Sequence, residues 1–292
     1  MNGSLELSPI VAGAWRMASW EWTASERLRW IDGCVAMGVT SFDHADIYGG
    51  YSVEALFGEA LALSPGLRDK IQLVTKCGIQ LVHDTHPQTT IKHYETSARH
   101  IIASAEQSLR HLRTDVIDLL LLHRPDPLLD ADEVARAFET LRTSGKVRQF
   151  GVSNFSPSQF ALLNSRTPLV TNQIEWHPLH QAPLMDGTLD QCQQLRVRPM
   201  IWSPLAGGAL FTSDADAAVR VRQVLGMIAA DLGISTETVA FAWLLRHPAR
   251  VIPITGSRRL EALQHAVDAT RVTLDAQQWT AIHVAATGKN VP

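Results

Sequence analysis

Cysteine is scarce in this chain of 292 residues: Cys34, Cys77 and Cys192 lie far apart and are odd in number, which excludes a disulfide framework and a Cys-x-x-Cys metal site. So few thiols fit a reducing, cytoplasmic setting. Long apolar runs are missing too. No stretch approaches the ~18 residues of a membrane span, and Met1–Trp15 has no basic stretch leading into an apolar one, so neither insertion nor export is expected. Positive charge is not in excess. Lys and Arg total 26 against 29 Asp and Glu, the net charge is -3, and no basic block could follow a phosphate backbone, so nucleic acid is not an expected partner. Lysine is rare, and tyrosine is rarer: of Tyr48, Tyr51 and Tyr94, the first two share one glycine-rich turn, whereas there are 8 tryptophans. What is present, 46% hydrophobic and 19% charged residues, is ample for a large core.

Short β-branched runs alternate with longer segments of helical period along almost the whole length. Strands are expected at Ser8–Ala14, Val39–Asp43, Ile71–Lys76, Val116–His123, Val147–Val152, Leu169–Gln173, Met200–Ser203 and Val251–Ile254. Between them, Thr23-x-x-Glu26 is a capping box for a helix over Ser25–Met37 that turns Leu28, Ile31 and Val35 to one face. Further helices are expected at Val53–Leu63, around Ile101, Ala105, Leu109 and Leu112, at Asp132–Thr143, and after the Ser156-Pro157 cap. About eight β/α units without a linker predict one domain over residues 1–292. It would be an α/β fold, a (β/α)₈ TIM barrel with a short N-terminal extension and a C-terminal helix. An open dinucleotide-binding sheet would carry Gly-x-Gly-x-x-Gly after its first strand, and Val11-Ala-Gly-Ala-Trp15 stands there instead.

Barrel enzymes place their chemistry at the C-terminal ends of the strands. Here those ends carry Asp43, Lys76, His123, Ser153 and Asn154, Gln173, then Trp202 and Ser203. Lys76 is the most telling, because it closes an apolar run and a buried ammonium needs an anionic partner. Asp43, one strand over, is placed to be that partner. Tyr48, in the loop after Asp43, can bring its hydroxyl to the ammonium, and a neighbouring cation is expected to lower the phenol's pKa. Cys77, beside Lys76, reads as buried packing.

These residues lie in five ordered motifs: Gly-Val-Thr-Ser-Phe-Asp43-His-Ala-Asp-Ile-Tyr48-Gly, Val-Thr-Lys76-Cys-Gly, Asp118-Leu-Leu-Leu-Leu-His123, Gly145-Lys-Val-Arg-Gln-Phe-Gly-Val-Ser153-Asn154-Phe and Thr171-Asn-Gln173-Ile-Glu. In them the chain resembles the aldo-keto reductases over nearly its full length. The likeness is greatest to a bacterial branch of oxidoreductases in which His-Arg-Pro-Asp follows the fourth strand. The resemblance implies reduction of aldehydes or ketones by hydride transfer from a nicotinamide cofactor. NADPH/NADP+ is favoured over NADH. It implies Tyr48 as general acid, Lys76 with Asp43 lowering its pKa, and His123 orienting the carbonyl. For the cofactor it implies Ser153, Asn154 and Gln173 at the carboxamide, Trp202 stacked on the nicotinamide, and Ser203, Leu205 and Gly207 along the pyrophosphate. At the adenosine end the usual lysine is replaced by Ile254, and Gly256, Ser257, Arg258 and Arg259 are left to take a 2′-phosphate.

Trp15, Trp20 and Trp176 are expected to line an apolar, aromatic substrate pocket, better suited to uncharged aldehydes and ketones than to sugars. Beyond a small-molecule carbonyl substrate no partner is expected, and the chain would be a monomer or a weak oligomer. Two other functions share this fold: a metal-dependent hydrolase built on Asp43, His44, His123 and His177, and a non-catalytic, NADPH-binding regulatory subunit that keeps the same residues.

Overall fold

A computed structural model describes residues 6–292. In chain order the strands are β1 (Val11–Gly13), β2 (Ser41–Asp43), β3 (Gln72–Cys77), β4 (Ile79–Gln80), β5 (His93–Tyr94), β6 (Ile117–Leu122), β7 (Val147–Ser153), β8 (Asn172–Glu175), β9 (Met200–Trp202) and β10 (Ile252–Thr255). All but β4 and β5 pair in parallel and close into a barrel, in the order β1-β2-β3-β6-β7-β8-β9-β10 and back to β1. The expected TIM barrel is therefore the fold.

The two-residue period of the strands divides the apolar side chains into two sets. Val11, Val74, Leu119, Leu121, Met200, Ile252 and Ile254 fill the barrel interior. Their neighbours Phe42, Leu73 and Ile201 point outward, as do Leu120, Leu122, Phe150 and Val152, and are covered by helices. A strand with both faces buried is apolar along most of its length, which is why β6 ends in four leucines; its one charged residue, the buried Asp118, is paired by Arg68 and Arg148.

Two helix starts follow the sequence closely. Thr23 and Glu26 cap Ala24–Ala36 reciprocally, and Ser156 with Gln159 does the same for Pro157–Asn164, with Pro157 at the first turn. The inward face of Ala24–Ala36 differs from the expected one: Arg27, Trp30, Ile31 and Cys34 are buried, and Leu28 and Val35 only half-buried. Arg27 turns inward because Nη1 donates to the Leu56 carbonyl at 2.6 Å and Nη2 pairs with Glu59 at 3.1 Å.

Two features were not legible. After β3 the chain makes a polar excursion, Gly78–Ser97, whose base is the antiparallel ribbon β4–β5. Between β9 and β10 stand Asp216–Leu232 and Thr236–Leu245, the second buried on nearly every side. The expected C-terminal helix is Ala276–Thr287, and it packs across the first of them. Trp243 and Trp279 stack at 5.1 Å, each indole N–H donating to the other's carbonyl at 3.1 Å. Trp176 packs on Trp243 at 5.0 Å with no exposed surface, so it is core and not pocket wall. Trp20 is likewise buried, against Trp22 and Trp30. Among the described residues no single helix is long and apolar enough to cross a membrane.

Candidate active site

Strand stagger sets the depth of each polar side chain. Asp43 pairs with Val74, so Lys76 stands one inward-facing position higher; Lys76 pairs with Leu121, so His123 stands one higher again. Ser153 pairs with Gln173, and Glu175 with Trp202. Asp43, Lys76, Gln173 and Trp202 all share the inward parity of the interior core residues Val74 and Met200. The result is a stair of polar groups rising from the core to the C-terminal mouth.

At its foot, Lys76 Nζ donates to Asp43 Oδ1 and Oδ2 at 2.8 and 2.7 Å, to the His44 carbonyl at 2.7 Å and to Tyr48 Oη at 3.1 Å. The Lys76 and Asp43 side chains are 1% and 5% exposed, so this is a buried ion pair. Burial pulls the Lys76 pKa down, but Asp43 and Tyr48 together more than restore it and hold it above the usual lysine range. Gln173 Nε2 donates to Asp43 Oδ1 at 2.8 Å and so completes the carboxylate's partners.

Tyr48 departs from expectation in one respect. Burial of the phenol pushes its pKa up, Lys76 pulls it down, and burial wins: the net shift is upward. Its ring meets His123 edge-on, with centroids 5.8 Å apart. Burial, followed by the charges of Lys76 and Arg124, pushes the His123 pKa well below the ordinary histidine value, so its imidazole is neutral at pH 7. His123 Nδ1 is buried without a hydrogen-bond partner among the described residues.

The Tyr48 turn has unusual backbone. Gly49, Gly50 and Tyr51 have φ of 58°, 63° and 68°. The positive φ at Gly50 favours glycine, and a Cβ there would also push on the His83 ring, 2.7 Å from Nε2. Tyr51 pays for its left-handed conformation through contacts with the Gly78–Ser97 excursion: its hydroxyl accepts from the Leu81 N–H at 2.8 Å and its ring stacks on His86 at 4.1 Å. Beneath the turn are two acids that the sequence did not flag. Thr75 Oγ1 donates to Glu54 at 2.5 Å and Ser104 Oγ donates to Asp46 at 2.8 Å. Burial above all raises Glu54 to about 7 and Asp46 to about 8. A Glu within a helical period and an Asp in a loop both read as solvated, so only their spacing from Tyr48 could have pointed to them.

Around the mouth, Ser153 Oγ donates to the Gln173 carbonyl at 2.9 Å and accepts from Asn154 Nδ2 at 3.1 Å. Trp202 Nε1 donates to Asn154 Oδ1 at 3.1 Å, which fixes the indole plane. Asn154 and Ser203 are left-handed at φ 57° and 50°, as are Ala206 and Gly207 at 54° and 65°. Across the barrel, Gly256 approaches Gly13 closely enough that an added Cβ would lie 3.3 Å from the Gly13 carbonyl. The Ser257 carbonyl accepts from Trp30 Nε1 at 3.1 Å, and Arg258 and Arg259 are exposed without an ion pair among the described residues. Of the expected pocket aromatics only Trp15 faces solvent, 59% exposed beside Arg16.

The aldo/keto reductase family profile matches residues 9–286. The chain is 52% identical to oxidoreductase YdhF of Escherichia coli, over 98% of this chain and 96% of that one. It is 47% identical to a 6-dehydroglucose reductase of Agrobacterium fabrum, over 100% and 98%. The structure of a glycerol dehydrogenase from Gluconobacter oxydans superposes with a TM-score of 0.83 at 25% identity, covering 97% of this chain and 93% of that one. With the profile spanning the barrel from β1 to the last helix, and relatives at half identity over their full lengths, this chain belongs to the aldo/keto reductase family and is an oxidoreductase.

Proposed function

We propose that the chain reduces aldehydes and ketones to alcohols with NADPH, Tyr48 delivering the proton, and that its substrates include sugar aldehydes. One observation supports this above the rest: a single buried ammonium, Lys76, touches both the Asp43 carboxylate and the Tyr48 hydroxyl. The sugar-aldehyde part comes from the 6-dehydroglucose reductase at 47% identity. It replaces the apolar pocket expected from Trp15, Trp20 and Trp176, of which the last two are core.

The donor set fits a nicotinamide dinucleotide. Ser153, Asn154 and Gln173 offer amide-compatible polar atoms, Trp202 offers a flat face held by Asn154, and Ser203, Leu205 and Gly207 follow it on a turn in which Ser203 and Gly207 are left-handed. Gly256 and Ser257 precede the helix Leu260–Ala269, and Arg258 and Arg259, without an ion pair among the described residues, suit a 2′-phosphate. NADPH supplies the hydride when bound.

The protein's own part is proton delivery and orientation. Neutral His123, with its proton on Nε2, donates to the substrate oxygen, since buried Nδ1 has no acceptor to serve. Tyr48 then gives its proton to that oxygen as negative charge develops there. Lys76 stabilises the phenolate left behind, and Asp43 keeps Lys76 charged and aimed. Tyr48→Phe tests the reading: turnover of an activated aldehyde is expected to fall by at least about a thousandfold, with tryptophan quenching by NADPH retained. Unchanged turnover removes Tyr48 from the mechanism.

A further inference from the structure

Arg124 follows His123 at the top of β6 and is half-buried at the barrel mouth. Its Nη1 donates to the His123 carbonyl at 2.7 Å and to Ser153 Oγ at 3.3 Å, and its guanidinium carbon lies 5.8 Å from the Trp202 ring centroid. These contacts hold the plane of the group. They leave Nη2 and Nε without a partner among the described residues, and no carboxylate there stands within ion-pair distance. A half-buried guanidinium carries five N–H donors and is costly to leave unpaired. Arg27 and Arg68, also set against the core, each have a carboxylate partner, whereas the half-buried Arg198, Arg220 and Arg222 rest on backbone carbonyls. The charge of Arg124 acts on Tyr48, as well as on Tyr94 and Glu175, so the group lies near the reacting centre.

We propose that Arg124 is the specificity-determining residue of this site, its free N–H edge taking a hydroxyl oxygen on the carbon next to the reacting carbonyl, so that α-hydroxy aldehydes are selected over their deoxy counterparts. The proposal rests on the reductase reading above and names the feature of the substrate that the site reads. The geometry is that of a fork held from behind by the His123 carbonyl and Ser153, which leaves the remaining donors to the ligand. A hydroxyl suits it better than an apolar group because a charge-assisted hydrogen bond is made where none existed, worth roughly 10- to 100-fold in kcat/KM.

The test compares D-glyceraldehyde with propanal, and both with glyoxylate, using the full chain and NADPH. Wild type is expected to favour glyceraldehyde over propanal by at least tenfold in kcat/KM. Arg124→Ala is expected to bring the ratio close to one, and Arg124→Lys, a point charge without the fork, to leave it in between. The ratio separates specificity from a merely structural role, which would lower both substrates alike. Equal fractional losses therefore overturn the proposal, as does a wild-type ratio near one, and either leaves the reductase reading standing. Preference for glyoxylate over glyceraldehyde overturns it in favour of an anion site. Should no aldehyde be turned over, the reductase reading fails, and saturation-transfer NMR with glycerol against 1-propanol decides on Arg124 separately. A glycerol signal lost in Arg124→Ala upholds the contact, and equal signals in both proteins overturn it.

Discussion

Lys76→Met is the most informative single perturbation, because stability and activity are expected to separate in a defined way. The substitution removes the donor that serves both Asp43 oxygens at 2.7–2.8 Å, the His44 carbonyl and Tyr48 Oη. Asp43 would keep only the 2.8 Å bond from Gln173 Nε2, with its side chain 5% exposed. Breaking one side of a buried pair costs about 3–5 kcal/mol, most of it for the stranded charge. At about 2 °C per kcal/mol for a chain of this size, Tm should fall by ~6–10 °C. Asp43→Asn in the same chain removes the stranded charge while leaving an amide oxygen for Gln173, so the double variant should regain all but about 1 kcal/mol. Turnover should not return in either variant, since Tyr48 has lost the ammonium. Thermal and urea unfolding read the first half, and NADPH consumption with an activated aldehyde reads the second. A double variant as unstable as Lys76→Met would refute the charge argument. Near-native turnover in Lys76→Met would remove the ammonium from proton delivery.

Two further outcomes follow from groups outside that pair. Glu54, raised from 4.5 to about 7, binds its proton in the folded state over a range where the unfolded chain has released it. Its contribution is therefore complete below about pH 4.5 and is lost as pH rises through 7, up to about 3 kcal/mol, with Asp46 adding to the same slope up to about 8. Wild-type Tm should decline between about pH 4.5 and pH 8, and Glu54→Gln should flatten the part of that decline below about pH 7; parallel curves would rule Glu54 out as its cause. At the other end of the mouth, NADPH should quench tryptophan fluorescence at lower concentration than NADH, and Arg258→Ala with Arg259→Ala should remove about tenfold of that preference. Equal affinities in wild type would dismiss both arginines from cofactor recognition.

The strand ends were legible because residue type and position contrast sharply there. Lys76 closes an apolar run, His123 follows a row of leucines, and Asp43 ends a short β-branched strand, so a two-residue period alone turns all three inward. The tryptophans were not legible, since a large aromatic near a strand end fits a pocket and a core equally well. What assigns Trp176 to the core is contact with Trp243, and through it Trp279, far along the chain, which no local pattern reports. Arg27 and Glu54 were missed for the complementary reason. Each is a charged residue in a helical period, and each is buried because a partner on another element satisfies it: Leu56 and Glu59 for the arginine, Thr75 for the glutamate. The Gly78–Ser97 excursion has neither period, and its order comes from the clasp with Tyr51.

The upward shift of Tyr48 changes how the proposed proton transfer works. The sequence suggested a cation that lowers the phenol's pKa toward neutrality, which would leave part of the resting population as phenolate and unable to donate. With burial outweighing Lys76, the phenol stays protonated, and the acid is loaded before substrate arrives. The ammonium, held charged by Asp43 and Tyr48, then acts chiefly as the proton leaves, when a full negative charge appears 3.1 Å from Nζ in a site nearly free of solvent. An interaction stronger in the transition state than in the ground state lowers the barrier, whereas one of equal strength in both would not. In the proposed reaction, burying the Lys76–Asp43 pair beneath Tyr48 serves proton delivery because the charge is already desolvated and oriented before it is needed. The rising strand register from Asp43 to Lys76 to His123 provides that order within the barrel itself.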